Sequence, residues 1–233
     1  MALRLVSFTF NTIFIFGAGY VIRLGCQIEK EGIMKELVIN NSLNLVKRQY
    51  PDYDDEKIAV IRYGLEGIYL TVSKTIIIFL IAYFLGILKE LIIFTLIYNA
   101  IRMPSFGAHA PSSAICLMAS TTIFILSTYL CMVISISIWL KLLLGTIGIV
   151  IIFKNSPADT AKRPIINKKR RLCYKIISTV IAIIFVILSI AIQDNFISNS
   201  LMLGLMIQSM MTSRITYKLF GQTYDNYRNY QSE

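Results

Sequence analysis

Residues 70–101 read LTVSKTIIIFLIAYFLGILKELIIFTLIYNAI. Two apolar runs, Leu70 to Leu88 and Leu91 to Ile101, meet at the charged pair Lys89 and Glu90. A helix needs about 20 apolar residues to cross a bilayer, and it is the one open-chain structure whose backbone groups are all satisfied there. The same pattern recurs at Ala114 to about Ile138, Leu142 to Phe153, Ile176 to Ile192 and Leu201 to Met211. The fold class this predicts is an all-α membrane protein, with six transmembrane helices over residues 70–212 preceded by an amphipathic helical region. The short run Leu142 to Phe153 makes only roughly 18 Å of helix against a hydrocarbon core of about 30 Å. Such spans must borrow flanking residues, thin the bilayer or shelter inside the bundle. Trp139 and Lys141, an aromatic and a snorkelling cation, mark the turn between the third and fourth spans at an interface.

Composition agrees with the runs. With 56% hydrophobic and 15% charged residues and a mean hydropathy of +0.66, the chain has more apolar surface than a water-soluble domain of this length could hide. The net charge of +10 is read as cytoplasmic loops and contacts with anionic membrane lipids, with no nucleic acid partner, because no soluble reading module accompanies the basic segments. Cys26, Cys116, Cys131 and Cys173 are scattered without metal-type spacing, so neither a metal site nor a secreted disulfide framework is expected. One histidine and no clustered intramembrane carboxylates argue against di-metal and haem chemistry, and no cofactor is expected.

The segment KRPIINKKRRLCYK, residues 162–175, carries seven cations and no acid, which makes its loop cytoplasmic by the positive-inside rule. Counting from it puts residues 34–69, residues 102–113 and the tail 213–233 inside, and Lys89, Glu90 and residues 193–200 outside. Within 34–69, Ile58, Ile61, Leu65 and Ile68 recur at helical spacing behind Asp54, Asp55 and Glu56, acids that suit a helix N-terminus. An amphipathic hairpin on the inner surface fits, and a solvated linker packed on a neighbour is the alternative. Residues 1–33 hold an apolar run, Leu5 to Ile22 behind Arg4. It reads as a signal peptide, as an extra span, or as an extension upstream of a natural start at Met34, since the codons for Lys30, Glu31 and Gly32 are able to spell a ribosome-binding sequence.

The chemistry concentrates in RMPSFGAHAPSSAIC, residues 102–116. His109 and Cys116 are seven residues apart, about 10.5 Å along a continuous helix and too far to share a proton. Gly107 frees the backbone, and Pro111 opposes helix continuation while suiting a first turn. With Ser112 or Ser113 as N-cap, the third span starts there and Cys116 falls in or just past its first turn. His109 then folds back from the loop. A thiol beside a helix N-terminus and an imidazolium is favoured as thiolate, so Cys116 is a candidate nucleophile and His109 its general base and later acid. By spacing alone, a packing cysteine and a solvated interfacial histidine remain open. Cys173, flanked by cations, is the rival thiol but has no neighbouring histidine; Cys131 lies within a span and reads as packing.

Arg102, Gly107, His109, Ala110 and Cys116 resemble the signature of the AgrB family, accessory gene regulator protein B of Gram-positive quorum sensing. SPADTAKRPI, residues 156–165, is similar to that family's Pro-x-Asp-Thr segment followed by a basic loop. The likeness runs from about Met34 to the sixth span. One departure is Phe106, where the family usually has a second glycine before the histidine. The resemblance implies a membrane-embedded cysteine endopeptidase that cleaves the C-terminal tail from an AgrD-type propeptide through a Cys116 thioester. A Cys or Ser side chain of the precursor then closes a thiolactone or lactone ring. It also implies possible homodimers. Arg102 would bind a substrate carboxylate, orient the loop or simply anchor the chain. Asp159 would orient His109, pair with Arg102 or serve the turn beside Pro157. Lys162, Arg163, Lys168, Lys169, Arg170 and Arg171 would recognise an acidic propeptide tail or anionic lipid. A small peptide transporter without proteolytic activity is the alternative, and it would require polar groups lining the middle of the membrane. The tail tyrosines Tyr217, Tyr224, Tyr227 and Tyr230 read as interfacial or disordered.

Overall fold

The computed structural model describes residues 34–108, 112–161 and 164–230. The alternative readings of residues 1–33 lie outside the described residues, as do His109, Ala110, Pro111, Lys162 and Arg163. The described chain is helical and divides into two compact units, one ending at Ser73 and one beginning at Lys74.

In the first unit, α1 (residues 34–49) turns through residues 50–54 into the start of α2 (Asp55–Phe84). Asp54 accepts the backbone N–H of Lys57 at 2.8 Å, and Asp55 and Glu56 occupy the first turn, where the helix dipole favours negative charge. Ile39 and Leu43 of α1 are buried, and Arg62 bonds Glu36 at 2.7 Å. Separate surface and membrane helices were expected on either side of residue 70. Instead α2 runs unbroken for 30 residues; Gly64 and Gly67 lower helix propensity near the junction without ending the helix.

The second unit is a bundle of α3 (Leu88–Ser105), α4 (Ser113–Val133), α5 (Ile138–Asn155), α6 (Lys168–Ala191) and α7 (Asn195–Thr212), followed by α8 (Arg214–Leu219) and a 3-10 turn, Asn226–Tyr230. Among the described residues four helical stretches are long and apolar enough to cross a membrane: Asp55–Phe84, Ile115–Val133, Ile138–Asn155 and Lys168–Ala191. The short apolar run at Leu142 does borrow flanking residues: α5 starts at Ile138, with Ser137 as its N-cap.

Helix α7 carries many polar residues and forms the interior, with one face of α3 packed on it. α7 packs on α3, α4, α5 and α6. Ser198, Asn199, Ser200, Gln208, Ser209 and Thr212 of α7 are buried beside Leu201, Met202 and Leu205. Small residues permit this closeness. A Cβ on Gly148 of α5 would stand 3.0 Å from the Leu205 side chain. Several buried hydroxyls of α7 answer the backbone of their own helix, as Ser200 does toward the Phe196 carbonyl at 2.7 Å, so that these do not stay unsatisfied in an apolar interior.

The helices alternate, and hydrogen bonds tie each end. At one end Lys141 donates to Ser198 Oγ at 2.7 Å and to the Ser189 carbonyl at 3.3 Å. This lysine is therefore held by the end of α6 and the start of α7, more than a freely snorkelling cation would be, while Trp139 is exposed. The opposite end gathers the C-termini of α3, α5 and α7 with the starts of α4 and α6.

Candidate functional site

The site is assembled at that second end. Pro104 lies inside the last turn of α3, and the helix stops at Ser105. Phe106 leaves with φ 57° and ψ −143°, and Gly107 follows with φ 131°. The first of these conformations is one that bulky residues avoid and glycine tolerates. Phe106 thus holds a backbone shape that favours glycine; its ring packs edge-on against Tyr174 at 5.1 Å. At Gly107 there is no choice. A Cβ there would run into the Arg102 guanidinium and lie 2.8 Å from the Met211 carbonyl oxygen.

Three backbone bonds fix this turn. Gly107 donates its N–H to the Ala158 carbonyl at 3.0 Å, Ala158 donates to the Ser105 carbonyl at 3.0 Å, and Ala108 donates to the Met211 carbonyl at 2.9 Å. Phe106 and Ala158 form a parallel bridge. Arg102 straps the turn from within, its Nη1 donating to the Phe106 carbonyl at 2.9 Å and its Nη2 to the Ala108 carbonyl at 3.1 Å. Both ends of the guanidinium fork hold the backbone immediately before residue 109, an arrangement that the planar Arg head suits and a lysine does not. Gln208, missed in the sequence, adds donation to the Phe106 carbonyl at 2.6 Å and to Ser105 Oγ at 2.7 Å from a fully buried position.

Ser112 is the N-cap of α4, and its hydroxyl accepts the Ile115 N–H at 3.3 Å. Of the two caps expected, Ser112 is the one used. Cys116 stands one turn in, its amide bonded to the Ser112 carbonyl at 3.0 Å. It is partly exposed, whereas Cys131 is buried and Cys173 exposed. A thiol at this depth is reachable and lies in the positive field of the helix N-terminus. Sγ is 3.9 Å from Ser120 Oγ.

Asp159 is almost fully buried. Its Oδ1 accepts the Asn226 N–H at 3.1 Å; its Oδ2 accepts the Tyr227 N–H at 2.9 Å and the Ile165 N–H at 3.4 Å, with Arg171 Nη1 at 3.6 Å. The expected pairing with Arg102 does not form, since Arg102 is taken up by carbonyls. A turn role beside Pro157 is part of what is seen, but the partners come from the tail. Tyr217 is buried, and its hydroxyl donates to the carbonyls of Ala158 and Asp159, each at 2.9 Å. Burial pushes that hydroxyl well above the ordinary phenol range, ahead of the opposing pull of Arg102, so it stays a donor. The expectation of an interfacial or disordered tail is thus corrected: Tyr217 and the backbone of Asn226 and Tyr227 are built into the site end.

The basic run divides. Arg171 leaves the group to pair with Asp159 and to stack on the Tyr227 ring at 3.3 Å. Lys168, Lys169 and Arg170 are exposed at the start of α6, where Asn167 accepts the N–H groups of Lys169 and Arg170. Cations at a helix N-terminus oppose the macrodipole, so helix stability does not account for them.

Sequence comparison extends the picture. The family model described as accessory gene regulator B matches residues 39–212. An AgrB-like protein of Clostridium acetobutylicum is 27% identical over 87% of this chain and 96% of its own length. An AgrB-like protein of Listeria innocua is 30% identical over 76% of this chain and 87% of its own length. Accessory gene regulator protein B of Staphylococcus aureus is 31% identical over 67% of this chain and 83% of its own length. No solved structure matches the chain. With three quarters of its length inside one family model, its strapped glycine turn and its capped cysteine helix within the matched part, the chain belongs to the accessory gene regulator B family.

Proposed function

We propose that the protein acts in accessory gene regulator quorum sensing as a membrane cysteine endopeptidase for an AgrD-type propeptide. The observation that carries this reading is the placement of Cys116: one turn into a capped helix, partly exposed, directly after a turn held rigid up to residue 108. Residue 109 is the chain's histidine and continues from that turn.

The Cys116 thiolate attacks the carbonyl carbon at the boundary of the precursor's C-terminal tail. Negative charge developing on that oxygen is favoured by the N-terminal dipole of α4. The peptide C–N bond breaks, His109 delivers the proton to the departing amine, and the precursor remains as a thioester on Cys116. A Cys or Ser side chain of the precursor, losing its proton to His109, attacks the thioester carbonyl and releases Cys116 as the ring closes. Proximity makes the internal nucleophile competitive with water. Arg102 orients the loop, and Lys162, Arg163, Lys168, Lys169 and Arg170 receive the propeptide's acidic tail or anionic lipid.

In this reading α2 through α7 make six crossings, with the polar α7 shielded among the other helices and the outer face of α3 apolar at Ile92, Leu96 and Met103. Most described cations of the second unit sit at the site end: Arg102, Lys154, Lys168 to Arg171, Lys175, Arg214, Lys218 and Arg228, against Lys89 and Lys141 at the other. The positive-inside rule then turns the site to the cytoplasm. A homodimer is compatible with this reading.

Co-expression with the short propeptide tests the assignment. Cys116→Ala and His109→Ala leave the precursor at full length while the protein stays in the membrane, and Cys173→Ala still trims it. Trimming by Cys116→Ala removes the proposal.

A further inference from the structure

The tail beyond residue 212 lies past the family match, yet it holds residues inside it. The Ala158 carbonyl accepts the Gly107 N–H at 3.0 Å and the Tyr217 hydroxyl at 2.9 Å. One oxygen therefore links the turn before residue 109 to α8. A residue further on, the Asp159 carboxylate takes the Asn226 and Tyr227 N–H groups, while Arg171, paired to that carboxylate, stacks on Tyr227. The Asn226 side chain also points back, donating to the Thr223 carbonyl at 2.8 Å. Tyr224 completes the cover, its ring edge-on to Tyr217 at 5.0 Å. Just before the strap, the Met211 carbonyl receives the Ala108 N–H.

We propose that the C-terminal strap, residues 213–230, is a positioning element of the candidate site, setting the Gly107–Ala108 turn through Ala158 and Asp159. Resting on the reading of Cys116 as nucleophile and His109 as its base, the inference makes Tyr217 and Asp159 positioning residues. Asp159 is no third member of the catalytic group, because both its oxygens are occupied by the strap, Ile165 and Arg171. The buried carboxylate instead converts tail docking into a fixed 158–159 backbone. Buried charges are retained where such donors satisfy them. A change in the strap is then felt at the Gly107–Ala108 turn without any contact between tail and substrate.

The test is alkylation of Cys116 by iodoacetamide across pH 5 to 9 in the full chain in lipid nanodiscs, followed at each cysteine by mass spectrometry, with exposed Cys173 as internal reference. Tyr217→Phe, which removes one oxygen, lowers the Cys116 rate at pH 7 by about fivefold, the weight of one lost hydrogen bond. It displaces the profile toward higher pH and leaves Cys173 unchanged. A chain ending at Gln222 does the same more strongly. If the shortened chain does not fold, Tyr217→Phe decides alone. An activated Cys116 whose profile neither variant moves overturns the inference and spares the nucleophile reading. A parent Cys116 that reacts like Cys173 overturns the nucleophile reading, and the inference with it.

Discussion

Gly107 and Ala158, 51 positions apart, are joined by a backbone hydrogen bond of 3.0 Å, and the space around Gly107 leaves no room for a side chain. Gly107→Ala must place a Cβ against Arg102 and Met211 at a φ of 131°. The expected cost is about 2 kcal/mol or more of stability, with propeptide trimming lost in the fraction that still folds. Thermal unfolding in detergent beside a trimming assay checks both; an unaltered melting profile would remove the steric account.

Arg102→Lys keeps the charge and loses the fork. A single ammonium cannot reproduce the two-pronged hold on the carbonyls of Phe106 and Ala108, so trimming falls by about tenfold or more, taking the fork's two bonds at roughly 1 kcal/mol each. Membrane levels stay comparable. Measured single-turnover rates that match the parent would show that charge alone suffices.

Phe106→Gly restores the residue type that the backbone at φ 57° favours. Relief of about 1 kcal/mol or more of backbone strain opposes the loss of the Tyr174 contact. Stability is therefore held within about 1 kcal/mol, and trimming is retained. A large loss of stability would mean that the ring contact outweighs the strain.

Much of this was legible in the sequence because it is local. Apolar runs give the helices, and Ser112 gives the start of α4 with Cys116 in place. Gly107 was marked as a special backbone position. What was not legible depends on contacts far apart in the chain. Asp159 meets Asn226 and Tyr227 some 67 and 68 positions later, and nothing in a tyrosine-rich tail announces that its backbone will satisfy a carboxylate. Gln208 reads as an ordinary polar residue near a helix end until it is found buried against Ser105 and Phe106. The continuity of α2 across residue 70 is not legible from hydropathy, which changes there while the helix does not end. The left-handed backbone at Phe106 carries no signal in its own residue type.

Neutralising Lys168, Lys169 and Arg170 together with Gln separates their two roles. Because they oppose the dipole of α6, thermal stability is unchanged or slightly raised. Binding of an acidic propeptide weakens by about tenfold, at roughly 0.5 kcal/mol for each exposed ion pair lost, and the remaining affinity depends less on salt. A binding curve identical to the parent's, measured on neutral-lipid nanodiscs, would assign these cations to lipid alone.

The covalent step is the centre of the account. Rapid acid quenching of the chain with its propeptide, then mass spectrometry of the peptide that carries Cys116, reads it directly. The account predicts a hydroxylamine-labile adduct on Cys116 with the mass of the propeptide lacking its tail. Tail release with no such adduct on Cys116, or with the adduct on Cys173, would contradict it.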